Sequence, residues 1–135
     1  YRGGSGAKYR IHFYEGSETT VVMFGDGRDN PPFGLYGGKP GSPNMAYIRE
    51  EGSDEEVLIP SKGVTVLSSG GTYTSFPSGG GGWGDPKKRP IETVRMDVVN
   101  GYISREAAED VYGVALDEDL NVIADKTNEL RKDVV

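Results

Sequence analysis

Cysteine is absent from the 135 residues, which excludes disulfides, thiolate metal ligands and cysteine nucleophiles. Histidine occurs only once, at His12, so a zinc site lacks the ligands that it usually takes. No apolar run approaches the ~20 residues that a membrane-spanning helix needs. The 21 acidic residues outnumber the 15 basic ones and give a net charge of −6, which argues against nucleic-acid binding. We therefore expect a cytoplasmic protein that binds neither membranes nor nucleic acid.

Hydrophobic residues are also scarce, at 35% of the chain, whereas glycine accounts for 21 residues. That glycine content is about twice the usual ~7% and favours many tight turns over long helices. The length is that of one domain. The chain opens on Tyr1 rather than on methionine, and we expect it to be a piece of a longer polypeptide.

The first two-thirds of the chain predict about six short strands. Residues 9–15 alternate, with Tyr9, Ile11 and Phe13 on one half-buried face, and Gly16-Ser17 reads as a turn into a hairpin partner. The β-branched run Thr19 to Phe24 is that partner. Four more strands follow at Asn44–Arg49, Val57–Ile59, Gly63–Leu67 and Thr72–Phe76.

The pattern changes after Asp85-Pro86, where the basic run Lys87-Lys88-Arg89 is predicted to be a solvated loop. A helix is predicted from Pro90 to Gly101, and Ser104 is the expected N-cap of a second helix that ends at Gly113. A small strand is expected at residues 114–116 and a last helix at residues 125–132. The prediction is an α+β fold in one domain: a mostly antiparallel β body over residues 1–86, then two or three short helices packed on it over residues 87–135.

Two glycine-rich segments punctuate the chain. Gly79, Gly81 and Gly84 fit the letters of a dinucleotide-binding loop, but the Asp85–Pro90 stretch separates them from the next helix. We therefore predict a broad turn whose backbone lies against other protein, with an anion-binding nest of amides as the alternative. The candidate glycines are Gly37, Gly38, Gly41, Gly79, Gly80, Gly81, Gly82 and Gly84.

Five side chains near these segments are candidates for substrate or interface contacts: Arg28, Lys39, Lys62, Trp83 and Asp85. Lys39 is followed by Pro40, which a phosphate-binding P-loop does not allow, so it contacts a ligand or a partner or lies in a turn. Trp83, the sole tryptophan, favours packing or an interface over substrate stacking. No catalytic or metal-ligating residue is predicted. A carboxylate metal site at Asp26 and Asp29 is the weaker alternative to ordinary turn chemistry.

Several motifs together resemble the C-terminal portion of the hydantoinase B/oxoprolinase family. The similarity covers nearly the whole chain in the family's order, and tryptophan at position 83 departs from the tyrosine frequent there. The matching stretches are YRGGSG (1–6), GDGR (25–28), PPFGLYGGKPG (31–41), PSKG (60–63), GGGGWGDP (79–86), VVNGYIS (98–104), Ala107-Ala108 and YGV (112–114).

The resemblance implies a part of the B-type subunit of ATP-dependent hydantoinases and 5-oxoprolinases. In that family an A-type partner uses ATP to phosphorylate a cyclic amide, and the B-type chain completes the ring opening. The expected partners are the upstream N-terminal part of the same B-type chain and the A-type subunit, in an oligomer. ATP and a divalent metal are implied for the full complex, and no cofactor for this fragment.

Three hypotheses remain open. The parent protein is a cyclic-amide hydrolase of which this fragment is an inactive part, or the fragment is a non-catalytic scaffold or interaction module, or the parent is a related ATP-dependent carboxylase. An exposed apolar patch containing Trp83 favours the interaction module. A concave pocket that bears Lys39 and Arg28 favours a share in the active site.

Overall fold

The computed structural model describes residues 1–14, 16 and 18–134, and these form two compact units. Unit 1 comprises residues 1–2, 35–39 and 82–135, and unit 2 comprises residues 3–34 and 40–81. The α+β prediction is confirmed, with six strands and three short helices among the described residues. The predicted division at residue 86 stays a prediction.

Unit 2 contains the strands, all paired antiparallel. Four of them form one sheet in the order β1-β6-β3-β4, and β2 and β5 form a separate two-stranded sheet. The strands are β1 (Tyr9–His12), β2 (Thr19–Phe24), β3 (Met45–Arg49), β4 (Val57–Leu58), β5 (Lys62–Leu67) and β6 (Thr72–Phe76). Their existence and approximate bounds agree with the alternating pattern.

The core of unit 2 takes residues from both sheets. Ala46 and Ile48 of β3 and Tyr73 of β6 lie in it together with Ile59 and Leu67. Val21 and Met23 of β2 pack against it, as does Phe13. One face of each sheet is thereby removed from water, which explains the alternation in β2 and β3.

The predicted hairpin between the first two strands is wrong. β1 pairs with β6, and Phe13 extends this pairing by exchanging hydrogen bonds with Gly70 and Gly71 of the β5–β6 turn (2.7 and 3.0 Å). Any antiparallel neighbour satisfies an alternating pattern, so the sequence did not identify the partner. The predicted half-buried face is wrong for Tyr9 and Ile11, which are exposed at the sheet edge, whereas Phe13 beyond the strand packs against the core. Glu15 and Ser17 of the predicted strand and turn lie outside the described residues.

Unit 1 contains the helices. They are a 3-10 helix at Pro86–Lys88, α1 (Ile91–Val99), α2 (Arg105–Asp110) and α3 (Ala124–Leu130). Ser104 caps α2 as predicted, its hydroxyl accepting from the Ala107 amide at 3.1 Å. The strand predicted at residues 114–116 is reduced to a single bridge between Leu116 and Val122.

Four residues fill the core of unit 1: Val94, Ala108, Val114 and Leu116. The Thr127 side chain, also buried, accepts a hydrogen bond from the Ala115 amide at 3.1 Å and ties α3 to this core. None of the described helices has the length and apolar character needed to cross a membrane.

Candidate functional site

Within unit 2 the glycine-rich segments pack backbone against backbone. The Gly80 amide donates to the Gly4 carbonyl (3.0 Å), and the Gly41 amide donates to the Pro32 carbonyl (2.8 Å). A Cβ atom built at Gly81 would lie 1.9 Å from the Phe33 carbonyl oxygen. Any side chain there would collide with main chain, so this glycine serves close packing.

The same arrangement recurs within unit 1, between residues 35–39 and 82–85. The Leu35 amide donates to the Gly82 carbonyl, and the Gly84 amide donates to the Leu35 carbonyl, both at 2.9 Å. A Cβ atom at Gly38 would meet the Gly82 oxygen at 2.1 Å. Leu35 and Trp83 form a parallel bridge, so the two segments run side by side.

The amides of the second segment donate to protein oxygens. In unit 2 the Gly79 amide reaches the Ser42 hydroxyl at 2.9 Å. In unit 1 the amides of Gly82 and Trp83 reach the carbonyls of Lys39 and Tyr1 at 2.8 and 2.9 Å. These amides are thus engaged in the fold rather than arranged as an anion nest.

A turn with unusual backbone geometry precedes Lys39. The Gly38 amide donates to the Leu35 carbonyl (2.9 Å), and the central residues Tyr36 and Gly37 both have positive φ, 51° and 91°. These signs correspond to a type I′ turn, which glycine and asparagine favour and tyrosine does not. Tyr36 is held in this conformation, and its ring is 79% exposed.

Tyr36 belongs to an aromatic cluster that also contains Tyr1 and Trp83. The rings of Tyr36 and Trp83 meet edge to face with their centroids 5.6 Å apart, and Tyr1 lies 5.7 Å from Trp83 on a tilted plane. Trp83 is 51% exposed. Unit 1 therefore displays aromatic surface around Trp83, one of the five side chains predicted for substrate or interface contacts.

Asp85, by contrast, has a structural contact. Its carboxylate accepts from the Lys87 amide at 2.8 Å and caps the 3-10 helix. Trp83 and Asp85 also line a cavity of about 320 Å³ together with Lys88 and Arg89. Unit 1 thus brings two of the five candidate side chains to one cavity. Lys39 is exposed and lies outside this lining.

The other two candidates lie in unit 2, near one short segment. The Arg28 guanidinium donates to the Ile59 carbonyl (3.2 Å), and the Lys62 ammonium pairs with Asp26 at 3.0 Å. The Arg28 contact is to the main chain, whereas the Lys62–Asp26 pair is exposed to solvent. Across the described residues, no three histidine or carboxylate side chains are grouped closely enough to hold a metal ion.

A second cavity, of about 540 Å³, lies on the outer side of the four-stranded sheet in unit 2. Met45, Tyr47 and Phe76 form its apolar wall, with Glu56 at one side. Glu56 is paired with Arg10 at 2.7 Å. Neither Arg28 nor Lys39 lines either of these two cavities.

One buried charge network was missed by sequence reasoning. Asp97 is only 7% exposed, and its Oδ2 lies 2.8 Å from Nη2 of Arg89 and 3.3 Å from Nε of Arg2. Arg2 also stacks over the Tyr102 ring at 4.7 Å. The prediction of a solvated loop is therefore wrong for Arg89. The sequence did contain a signal for this network. Asp97 lies three residues after Val94, and this helical spacing places its carboxylate on the buried face of α1.

Known proteins are similar to this chain in sequence and in fold. The Hydantoinase B/oxoprolinase family model matches residues 1–86. The B-type component of a putative D-/L-hydantoinase from a Pseudomonas species (strain NS671) is 34% identical over 133 residues, which cover 98% of this chain and 22% of that protein. The acetophenone carboxylase delta subunit of Aromatoleum aromaticum is 27% identical, over a match that covers 97% of this chain and 24% of that subunit.

A solved structure extends the likeness to three dimensions. The crystal structure of ATP-dependent caprolactamase from Pseudomonas jessenii matches 98% of this chain with a TM-score of 0.80 at 28% identity, over 23% of that protein's chain. The chain thus spans less than a quarter of the length of these relatives, and the likeness includes the helices beyond residue 86. These 135 residues belong to the Hydantoinase B/oxoprolinase family.

Proposed function

We propose that this chain is the C-terminal part of the B-type subunit of an ATP-dependent cyclic-amide hydrolase, and that it docks other parts of the assembly instead of performing the chemistry. The relatives named as a hydantoinase component and an ATP-dependent caprolactamase support the hydrolase. Hydantoins and caprolactam are both cyclic amides. The full complex would use ATP and a divalent metal.

The observation that carries the docking role is the exposed aromatic cluster. Tyr36 is held at positive φ in a tight turn, and its ring meets that of Trp83 at the surface. Strained backbone persists where the surroundings or a function require it. Tryptophan and tyrosine are also the side chains that most often anchor protein interfaces. Together these features support an interface anchor over a substrate-stacking platform.

Ring opening needs an acid–base group near the amide nitrogen and stabilisation of negative charge on the oxygen. We assign the acid–base groups to other parts of the assembly, because Arg28, Asp85 and Asp97 are occupied by structural contacts. Lys39 is the candidate side chain whose exposed ammonium would contact a negatively charged substrate if the active site extends to this chain.

The test is assembly of the B-type subunit containing these residues with its A-type partner. Trp83→Ala and Tyr36→Ala should each weaken assembly by about tenfold or more, as expected for interface anchors, without loss of helix signal. Tyr14→Ala is the matched control, because Tyr14 is a tyrosine with the same 79% exposure as Tyr36. Gel filtration with light scattering measures assembly, and ATP-dependent opening of hydantoin measures activity.

Equal assembly of all three variants would remove the docking role. Ring opening by the isolated 135 residues would contradict the assignment of chemistry to other parts. The likeness to a carboxylase subunit supports a second candidate, an ATP-dependent ketone carboxylase. The same assembly, given bicarbonate and acetophenone instead of a cyclic amide, would then form a carboxylated product.

A further inference from the structure

The two-stranded sheet of unit 2 has a second apolar face that its own unit leaves uncovered. Along β2 and β5 every second side chain points away from the core, and four of these are apolar: Val22, Phe24, Val64 and Val66. They are between 51% and 86% exposed. We call these four residues the outer face.

The strand register makes the outer face continuous. Val22 lies opposite Val64, and Thr20 lies opposite Val66, so the exposed side chains are cross-strand neighbours. The alternate residues Val21, Met23 and Leu67 belong to the core side. Strands that are apolar on both sides are typical of sheets covered on both faces. Charge is confined to one end, where Lys62 lies opposite Phe24 and pairs with Asp26.

We infer that the outer face packs against an apolar surface of the remaining B-type polypeptide, outside these 135 residues. This inference rests on the proposed function. The chain spans 22% of the hydantoinase component and 23% of the caprolactamase chain, so more than three-quarters of such a subunit lies outside these residues.

Two features favour this occupant over others. A surface of the same polypeptide is present at high effective concentration, which a second copy or a separate subunit lacks. Permanent interfaces also resemble a protein core cut in half, and charge on this side of the sheet is confined to Lys62 at one end. Interfaces of complexes that form and dissociate combine apolar residues with more polar and charged ones.

Cysteine labelling tests the inference, because the 135 residues contain no cysteine of their own. Val22→Cys and Val64→Cys are introduced singly into the B-type subunit containing these residues, and N-ethylmaleimide modification is read by peptide mass spectrometry. Val57→Cys is the matched control, since Val57 is a β4 valine with 50% exposure that directly follows the acidic residues 54–56. Thiols on the outer face should react about tenfold more slowly than the control, because they react only upon local opening.

The unmodified subunit gives an independent readout that needs no substitution. Hydroxyl-radical oxidation should spare Phe24, which is 86% exposed within these 135 residues, relative to Tyr14 at 79%. Equal thiol reactivity at all three positions, together with ready oxidation of Phe24, would overturn the inference. Protection that appears only with rising subunit concentration would assign the face to a second copy, and protection that needs the A-type subunit would assign it to that partner; both also overturn it.

The outcomes separate this inference from the proposed function. A subunit that opens cyclic amides with ATP while its outer face reacts freely refutes only the packing. A subunit whose outer face is protected but which supports no ATP-dependent ring opening refutes the hydrolase and leaves the packing in place.

Discussion

Glycine at residue 81 illustrates how single positions determine the glycine-rich packing. We predict that Gly81→Ala destabilises the protein by about 1–3 kcal/mol, the usual cost of forcing extra atoms into packed structure, because its Cβ would lie 1.9 Å from the Phe33 oxygen. Gly4→Ala is the control within the same packing, since nothing lies within 4 Å of its Cβ. Urea denaturation measures the difference. Equal midpoints for the two variants would show that the Phe33 segment moves aside at little cost.

The acidic side chain Asp97 carries a second prediction, with its control on the same helix, α1. Asp97→Asn leaves two guanidiniums, Arg2 and Arg89, without their shared carboxylate and should cost about 3–5 kcal/mol, as breaking a buried ion pair does. Glu92→Gln removes an exposed partner of Arg95 and should leave the urea midpoint unchanged within error. Similar midpoints for both variants would mean that the Asp97 network is not effectively buried.

At the scale of elements, the cap of α2 makes a prediction about pH. The Glu106 carboxylate accepts from its own backbone amide and from the Ser104 hydroxyl, and these bonds lower its pKa. A lowered pKa stabilises the fold above the unfolded value of about 4.3, and that stability is lost as the pH falls through the folded pKa. Carbon NMR should show Glu106 titrating below the unfolded value, and closer to it in Ser104→Ala. An unchanged midpoint in that variant would exclude the hydroxyl as a cause.

Local signals predicted the elements better than their partners. The β-branched run at residues 19–24 and the cap at Ser104 were predicted from the sequence because alternation and capping are local properties. The pairing of β1 with β6 was not predicted, since any antiparallel neighbour accepts the same pattern. At the candidate site the glycines indicated that backbone segments approach each other closely. The turn at Tyr36 was not predicted, because tyrosine rarely adopts the positive φ that it has there.

The whole molecule combines apolar surface with a net charge of −6. Exposed patches favour association, whereas like charges oppose it and are screened by salt. We predict that the isolated 135 residues stay dispersed at low ionic strength and associate increasingly as salt is added, with static light scattering as the measurement. Val22→Thr with Val64→Thr keeps the β-branched shape and should reduce that association, because it removes apolar surface from the outer face.

A variant with fewer negative charges tests whether charge repulsion opposes this association. Asp54→Asn, Glu55→Gln and Glu118→Gln together change exposed side chains and halve the net charge from −6 to −3. This variant should associate already at low salt, because fewer charges hold the copies apart while the apolar surface is unchanged. Scattering that depends neither on salt nor on these three charges would show that charge repulsion does not keep the copies apart. The exposed apolar surfaces would then attract one another too weakly to require a covering partner for solubility.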